Sequence, residues 1–266
     1  MSAWTRERVL DAAAGMEWEP EGSVVVGADE YRLIRYPDSV VNPTFQAAQV
    51  TWSRTARSFG EVMGEVVARV RGWGLPGVAW WVSGASVPTD TGEALRAAGA
   101  ELIDAAQVLA RELVGDPQDQ GLPSGVTVEV VRDERTFRMA SEITVRGWER
   151  SEPSATDFAR QLEEAIADLA SWSSFRVVGL VNGEPAATGG CTLAGEVAQL
   201  WGAVTLPEYR GRGAYRAVLA ERLRLARDHG ATLALVKGRM VTSAPILLRA
   251  GFTDFGEERC YWLPVG

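Results

Sequence analysis

Arg210-Gly211-Arg212-Gly213-Ala214-Tyr215 stands between an apolar run at 197–206, closed by Pro207, and a helical pattern that runs from Tyr215 to about Arg227. The order is strand, basic glycine turn, helix. The first N–H groups of a helix have no intrahelical partner, and the helix dipole is positive at that end. Such a turn therefore builds an anion site. Its glycines let the backbone approach a phosphate with no Cβ in the way.

The chain of 266 residues is long for one average domain and suits two small ones. A hydrophobic fraction of 46% supports a core. The net charge of −8 argues against general nucleic-acid binding and leaves room only for a local basic patch. No apolar stretch approaches the ~20 residues of a membrane helix, and residues 1–6 lack a signal-peptide core, so a cytoplasmic location is expected. Cys191 and Cys260 read as reduced thiols. With His229 alone and no Cys/His cluster, no metal site is expected. His229 reads as a cation at the end of a helix.

The polar, Gly- and Pro-rich stretch at 115–125 divides the chain. The expected domains are 1–115 and 126–266, with 116–125 as linker. The second part alternates: a strand at 126–131, then a helix capped by Asp133. A loop at 148–156 and a helix capped by Thr156 or Asp157 follow. Next comes a strand at 175–181, with Asn182-Gly183 as a hairpin turn. Strands at 186–193 and 197–206, a helix at 211–227, a strand at 232–237, a short helix at 243–250 and a final pair of strands complete it. The expected order is βααβββαβαββ, a mixed α/β sheet flanked by helices. The first part carries a fainter echo: a helix at 59–73, a strand at 78–82, a helix at 91–98, then apolar alternation to Leu113. Arg96-Ala97-Ala98-Gly99 occupies the place that Leu248-Arg249-Ala250-Gly251 holds in the second part, which suggests an internal duplication. The first copy has no basic glycine turn before its helix.

Residues 126–266 resemble the GNAT superfamily of acyl-CoA-dependent N-acyltransferases. The signature Arg/Gln-x-x-Gly-x-Gly/Ala reads here Arg210-Gly211-Arg212-Gly213-Ala214-Tyr215, with Tyr215 where the family has a small residue. A second signature, a helix ending in Gly-Phe, appears at 242–252 with Gly251-Phe252. The resemblance implies two GNAT-like domains, the first degenerate. It implies acetyl-CoA, or another acyl-CoA, as co-substrate and the amine of a small molecule as acceptor. Backbone groups of Ala203, Val204 and Thr205 are then expected to hold the pantetheine arm and acyl carbonyl. The N–H groups of Gly211, Arg212, Gly213, Ala214, Tyr215 and Arg216 are expected to hold the pyrophosphate. Arg212 and Arg216 either add charge there or form a solvated helix start.

Catalytic residues transfer poorly. The family's tyrosine falls at Leu247 and its asparagine at Met240. Tyr261 and Ser243 are the substitutes for a proton donor. Ser243 is also counted on the cofactor side, and reads equally as an N-cap before Pro245. The base must take a proton from the amine directly or through water; Glu149, Glu152 and Glu196 are the candidates. Trp148 and Trp201 read as core or as acceptor contacts. Direct attack in a ternary complex is expected, because Cys191 and Cys260 fall on strands while the sole histidine falls on a helix. Two other readings stand: an aminoacyl-tRNA-dependent transferase using the arginines from 210 to 224, and a non-catalytic acyl-CoA sensor. No membrane and no nucleic-acid partner are expected, and a homodimer is left open.

Overall fold

The computed structural model describes residues 4–27, 29–42, 45–113 and 123–266. In chain order the first elements are α1 (Arg6–Ala14), β1 (Val24–Val26), β2 (Tyr31–Arg35), β3 (Ala48–Ser53) and α2 (Phe59–Gly72). Then come β4 (Gly77–Val82), α3 (Thr91–Ala97) and β5 (Glu101–Glu112). The second series is β6 (Val126–Val130), α4 (Glu134–Trp148), α5 (Ala155–Ser171), β7 (Ser174–Val181), β8 (Glu184–Ala194) and β9 (Val197–Thr205). It ends with α6 (Ala214–Asp228), β10 (Leu233–Arg239), α7 (Ala244–Arg249) and β11 (Thr253–Pro264). No described helix is long and apolar enough to cross a membrane.

Two compact units result, and they are not the two sequence halves. Of the described residues, one unit contains those of 110–236 with Trp4; the other contains those of 5–109 together with 237–266. The expected linker at 116–125 falls mostly outside the described residues, since only 123–125 are described. Assignment of 237–266 to the first-half unit has a plain cause. β11 pairs antiparallel with β4 over six residues, from Arg259 opposite Val82 to Pro264 opposite Gly77, and lies between β4 and β5 in the sheet order. In place of the expected final pair of strands there is one strand of 12 residues. The chain passes through Gly256 at φ 146 without breaking the strand.

In the 5–109/237–266 unit the strand order is β1-β2-β3-β4-β11-β5. Its core gathers Val62, Val66 and Val70 from one face of α2 with Trp80, Leu95 and Tyr261. These valines recur every four residues, the spacing that keeps one helix face on a sheet. In the 110–236 unit the order is β10-β9-β8-β7-β6. Phe137, Ala140 and Ile143 of α4 pack there on Val178 and Leu180 of β7 and Val204 of β9. Asp133 caps α4 as expected: its Oδ1 accepts from the Thr136 N–H at 2.8 Å, and Thr136 Oγ1 accepts from the Asp133 N–H at 3.3 Å. The cap of α5 is Ser154 rather than Thr156 or Asp157, its Oγ accepting from the Asp157 N–H at 3.1 Å. Asn182 and Gly183 turn the hairpin at φ 53 and 86.

The order α2-β4-α3-β5 recurs as α6-β10-α7-β11, with lengths of 14, 6, 7 and 12 residues against 15, 7, 6 and 12. The glycine after each short helix is left-handed, Gly99 at φ 89 and Gly251 at φ 84. Each copy also opens with a parallel pair, β3 with β4 and β9 with β10. This is the arrangement that duplication predicts.

Candidate functional site

The 110–236 unit exposes the edge of one strand. β9 pairs with β8 along most of its length, but its ladder to β10 covers only Val197–Gln199 against Leu233–Leu235. From Leu200 onward that side of β9 has no partner in the ladder. The register to β8 shifts between Thr188 and Gly190, opposite Gly202 and Ala203, and Gly202 is left-handed at φ 60. A bulge of this kind re-aims the backbone groups that follow it. Those groups belong to Ala203, Val204 and Thr205. Thr205 Oγ1 is buried with no hydrogen-bond partner. A buried hydroxyl left so is uncommon and fits a place where a ligand group completes the set.

The chain then reaches the turn. Gly211 and Gly213 are left-handed at φ 77 and 85, which delays the start of α6 from the expected 211 to Ala214. Gly213 has a second reason to lack a side chain: a Cβ there would sit 2.5 Å from Pro123 Cγ. No side chain caps α6, and no acidic residue stands in its first turn. Its leading N–H groups therefore face outward without a competing anion. Arg210, Arg212 and Arg216 are exposed, and none has a carboxylate partner among the described residues. Glu208, which could have taken one of them, is held by Arg146 at 2.5 Å.

Tyr215 turns away from this cradle. Its phenol lies near Arg222, and burial raises its pKa. Arg222 is 1% exposed and donates from Nη1 to the Gly190 carbonyl at 3.1 Å. It lies over Gly189, where a Cβ would come within 2.9 Å of its Cζ. Burial lowers the Arg222 pKa.

The other expected site residues divide. Glu149 forms the left-handed C-cap of α4 at φ 51 and is exposed, as is Glu152. Glu196 lies in the β8–β9 turn, exposed, about 20 Å from the bulge at the ~3.3 Å per residue of a strand. It is therefore not carried forward as a base; a strand start is near the site only when the site is at that end. Tyr261 is a core side chain of the other unit, 2% exposed, paired across the sheet with Trp80. That burial removes it as a proton donor. Ser243 belongs to the same unit. It occupies the N-cap position of α7 but makes no capping hydrogen bond. His229 is structural as expected, with Nδ1 at 2.8 Å from the Leu225 carbonyl and its ring stacked on Trp172 at 3.5 Å. Both thiols are buried, and burial pushes each up to about 12.

Two side chains near the bulge escaped the sequence reading. Arg176 of β7 holds its Cζ 5.1 Å over the Trp201 ring, and Arg150 follows the C-cap of α4. The available signal was a lone charge inside the apolar run at 175–181. In the first copy the turn before α2 is built differently. Arg57 there is occupied by Glu30 at 2.6 Å and Glu65 at 2.7 Å, and Glu61 stands in the first helical turn. Acidic groups fill the place where an anion would otherwise bind.

Residues 137–245 match the family model described as Acetyltransferase (GNAT) family. The chain is similar in structure to a GCN5-related N-acetyltransferase from Kribbella flavida, with a TM-score of 0.68 at 19% identity, covering 97% of this chain and 96% of that one. It is similar to a tandem GNAT protein from the clavulanic acid biosynthesis pathway, with a TM-score of 0.65 at 17% identity over 97% and 88% of the two chains. A GCN5-related N-acetyltransferase from Sphaerobacter thermophilus aligns with a TM-score of 0.66 at 18% identity, covering 90% and 82%. No curated protein matches.

Proposed function

We propose, from the membership of residues 137–245 in the GNAT acetyltransferase family, that this chain transfers an acyl group from acyl-CoA to the amine of a small molecule. Acetyl-CoA is the donor of this reading. The observation that carries it is one continuous run of backbone. The open edge of β9 leads through the Gly202 bulge to the Gly211–Gly213 turn and the uncapped start of α6. The N–H groups of the turn and helix start bind the pyrophosphate, with Arg210, Arg212 and Arg216 adding charge. Backbone groups of Ala203, Val204 and Thr205 hold the pantetheine arm, and an N–H there stabilises the thioester oxygen as charge develops on it.

The amine attacks directly in a ternary complex. A covalent acyl-enzyme needs an ionised nucleophile. Cys191 is 0% exposed and its thiol is held neutral to about 12, so it does not serve. Glu149, exposed beside the loop that follows α4, is the carboxylate kept as acceptor of the amine proton, directly or through water. The tRNA-dependent reading loses ground on geometry. Of the arginines that suggested it, Arg222 is buried and Arg224 is paired with Glu221 and Asp228.

The test is steady-state kinetics of CoA thiol release with acetyl-CoA and a panel of primary amines. Intersecting initial-velocity lines and no acylated protein by mass spectrometry are expected. Parallel lines with an acyl adduct would overturn direct attack. Absence of acetyl-CoA binding by calorimetry would overturn the whole reading.

A further inference from the structure

Arg176, Gly190 and Trp201 form one row across three strands: Arg176 is opposite Gly190, and Gly190 is opposite Trp201. Residues opposite one another share a face of the sheet. Gly190 has no side chain, and the Trp201 ring lies over it: a Cβ there would come within 2.3 Å of the ring. Arg176 in turn lies over the indole, whose Nε1 is fixed by a 2.9 Å hydrogen bond to Thr192 Oγ1. Trp201 immediately precedes the Gly202 bulge, so the row borders the proposed acyl end of the donor site.

Arg150 joins the row from above. The left-handed turn at Glu149 reverses the chain after α4, and the Arg150 N–H donates back to the Val145 carbonyl at 3.0 Å. Gly147, one turn earlier, lies directly on Val204, where its Cβ would meet Val204 Cγ2 at 2.4 Å. The end of α4 is thereby pressed onto β9. Arg150 is partly buried, and its Nε is buried with no hydrogen-bond partner. Its charge acts on Arg176: burial first, and then Arg150, lower the Arg176 pKa to about 10.

Arg150 and Arg176 are thus two partly buried guanidiniums with no carboxylate partner among the described residues. The arginines of α4 and α5 are, by contrast, paired. Arg135 is paired with Glu129, Arg138 with Glu134, Arg146 with Glu208, and Arg160 with Asp157 and Glu164. A buried cation left unpaired is unfavourable, and the ring under Arg176 offsets this only in part. An anion between the two forks would satisfy both, in the planar geometry guanidinium offers to carboxylate and phosphate.

We propose that Arg150 and Arg176, over Trp201, hold an anionic group of the acceptor, a carboxylate or a phosphate, and so select amines that carry one. The inference rests on the acyltransferase reading for the word acceptor, but the anion site stands without it.

The experiment uses the full-length protein with acetyl-CoA and matched amines: amino acids against their carboxamides, and amino-alcohol phosphates against the free amino alcohols. A kcat/KM at least tenfold higher for the anionic members is expected, and the favoured arm identifies carboxylate or phosphate. Arg150→Gln and Arg176→Gln should raise KM for the anionic amine at least tenfold more than for its neutral counterpart. Calorimetry with succinate and with inorganic phosphate provides a readout that needs no turnover and no folded variant. Binding that Arg176→Gln weakens tenfold supports the site. Equal or better use of neutral amines, or no binding of either anion by the wild-type protein, overturns it. Anion binding in a protein that does not bind acetyl-CoA would instead overturn the acyltransferase reading alone.

Discussion

Tyr215 shows how a residue's neighbours decide its meaning. At a position where the family has a small side chain, a phenol beside the phosphate cradle would obstruct it. Here the phenol lies near Arg222, which itself lies over Gly189. The glycines of β8 are the room into which this pair folds, and they are as informative as the charges. The thiols are read in the same way. Cys191 and Cys260 are held near 12, while an unfolded thiol ionises near ~8.5. Between these values the unfolded chain releases protons that the folded chain keeps, so stability is full below ~8.5 and falls as pH rises. From pH 8.5 to 10 the urea midpoint should drop, by up to about 1.4 kcal/mol per pH unit for each thiol in free-energy terms. Cys191→Ala should flatten the slope; an unchanged slope would contradict the assignment.

At the scale of elements, the start of α6 carries two separable properties, conformation and packing. Gly213→Val forces a branched side chain into φ 85 and against Pro123. It should weaken CoA binding by at least tenfold and lower stability by about 1–3 kcal/mol. Tyr215→Phe should do the reverse. It removes a hydroxyl near a buried arginine, which lowers stability, and it leaves CoA affinity unchanged because the ring does not line the cradle. Calorimetry with CoA and thermal melts separate the two. If Tyr215→Phe tightened CoA binding, the inward orientation would be wrong. Element identity was largely legible beforehand. Asp133, the Asn182-Gly183 hairpin and the apolar spacing of α2 and α4 are local signals, and local hydrogen bonding realises them. The base was not legible. Glu149, Glu152 and Glu196 are equivalent as letters, and only the direction of β9 separates Glu196 from the others.

For the molecule as a whole, the placement of the C-terminal segment matters most. β11 stands between β4 and β5, so residues 1–115 alone leave those two strands without the neighbour they share. That fragment, cut at the apparent linker, should lack a cooperative unfolding transition. Deleting residues 253–266 from the full chain should abolish amide protection in β4 while β7 and β8 stay protected. Hydrogen exchange with mass spectrometry reads this directly, and a stable, cooperative 1–115 fragment would refute it.

By itself, the sequence determined the alternation of elements, the echo between the halves and the glycine turn before a helix start, because periodicity, capping and φ preference act over a few residues. Only the tertiary structure decided which unit owns the last 30 residues, that Tyr215 lies near Arg222, and that Arg176 lies over Trp201. These depend on strand pairing between distant segments. A strand's letters state that it will pair, but the partner is chosen by the edge left open elsewhere in the chain.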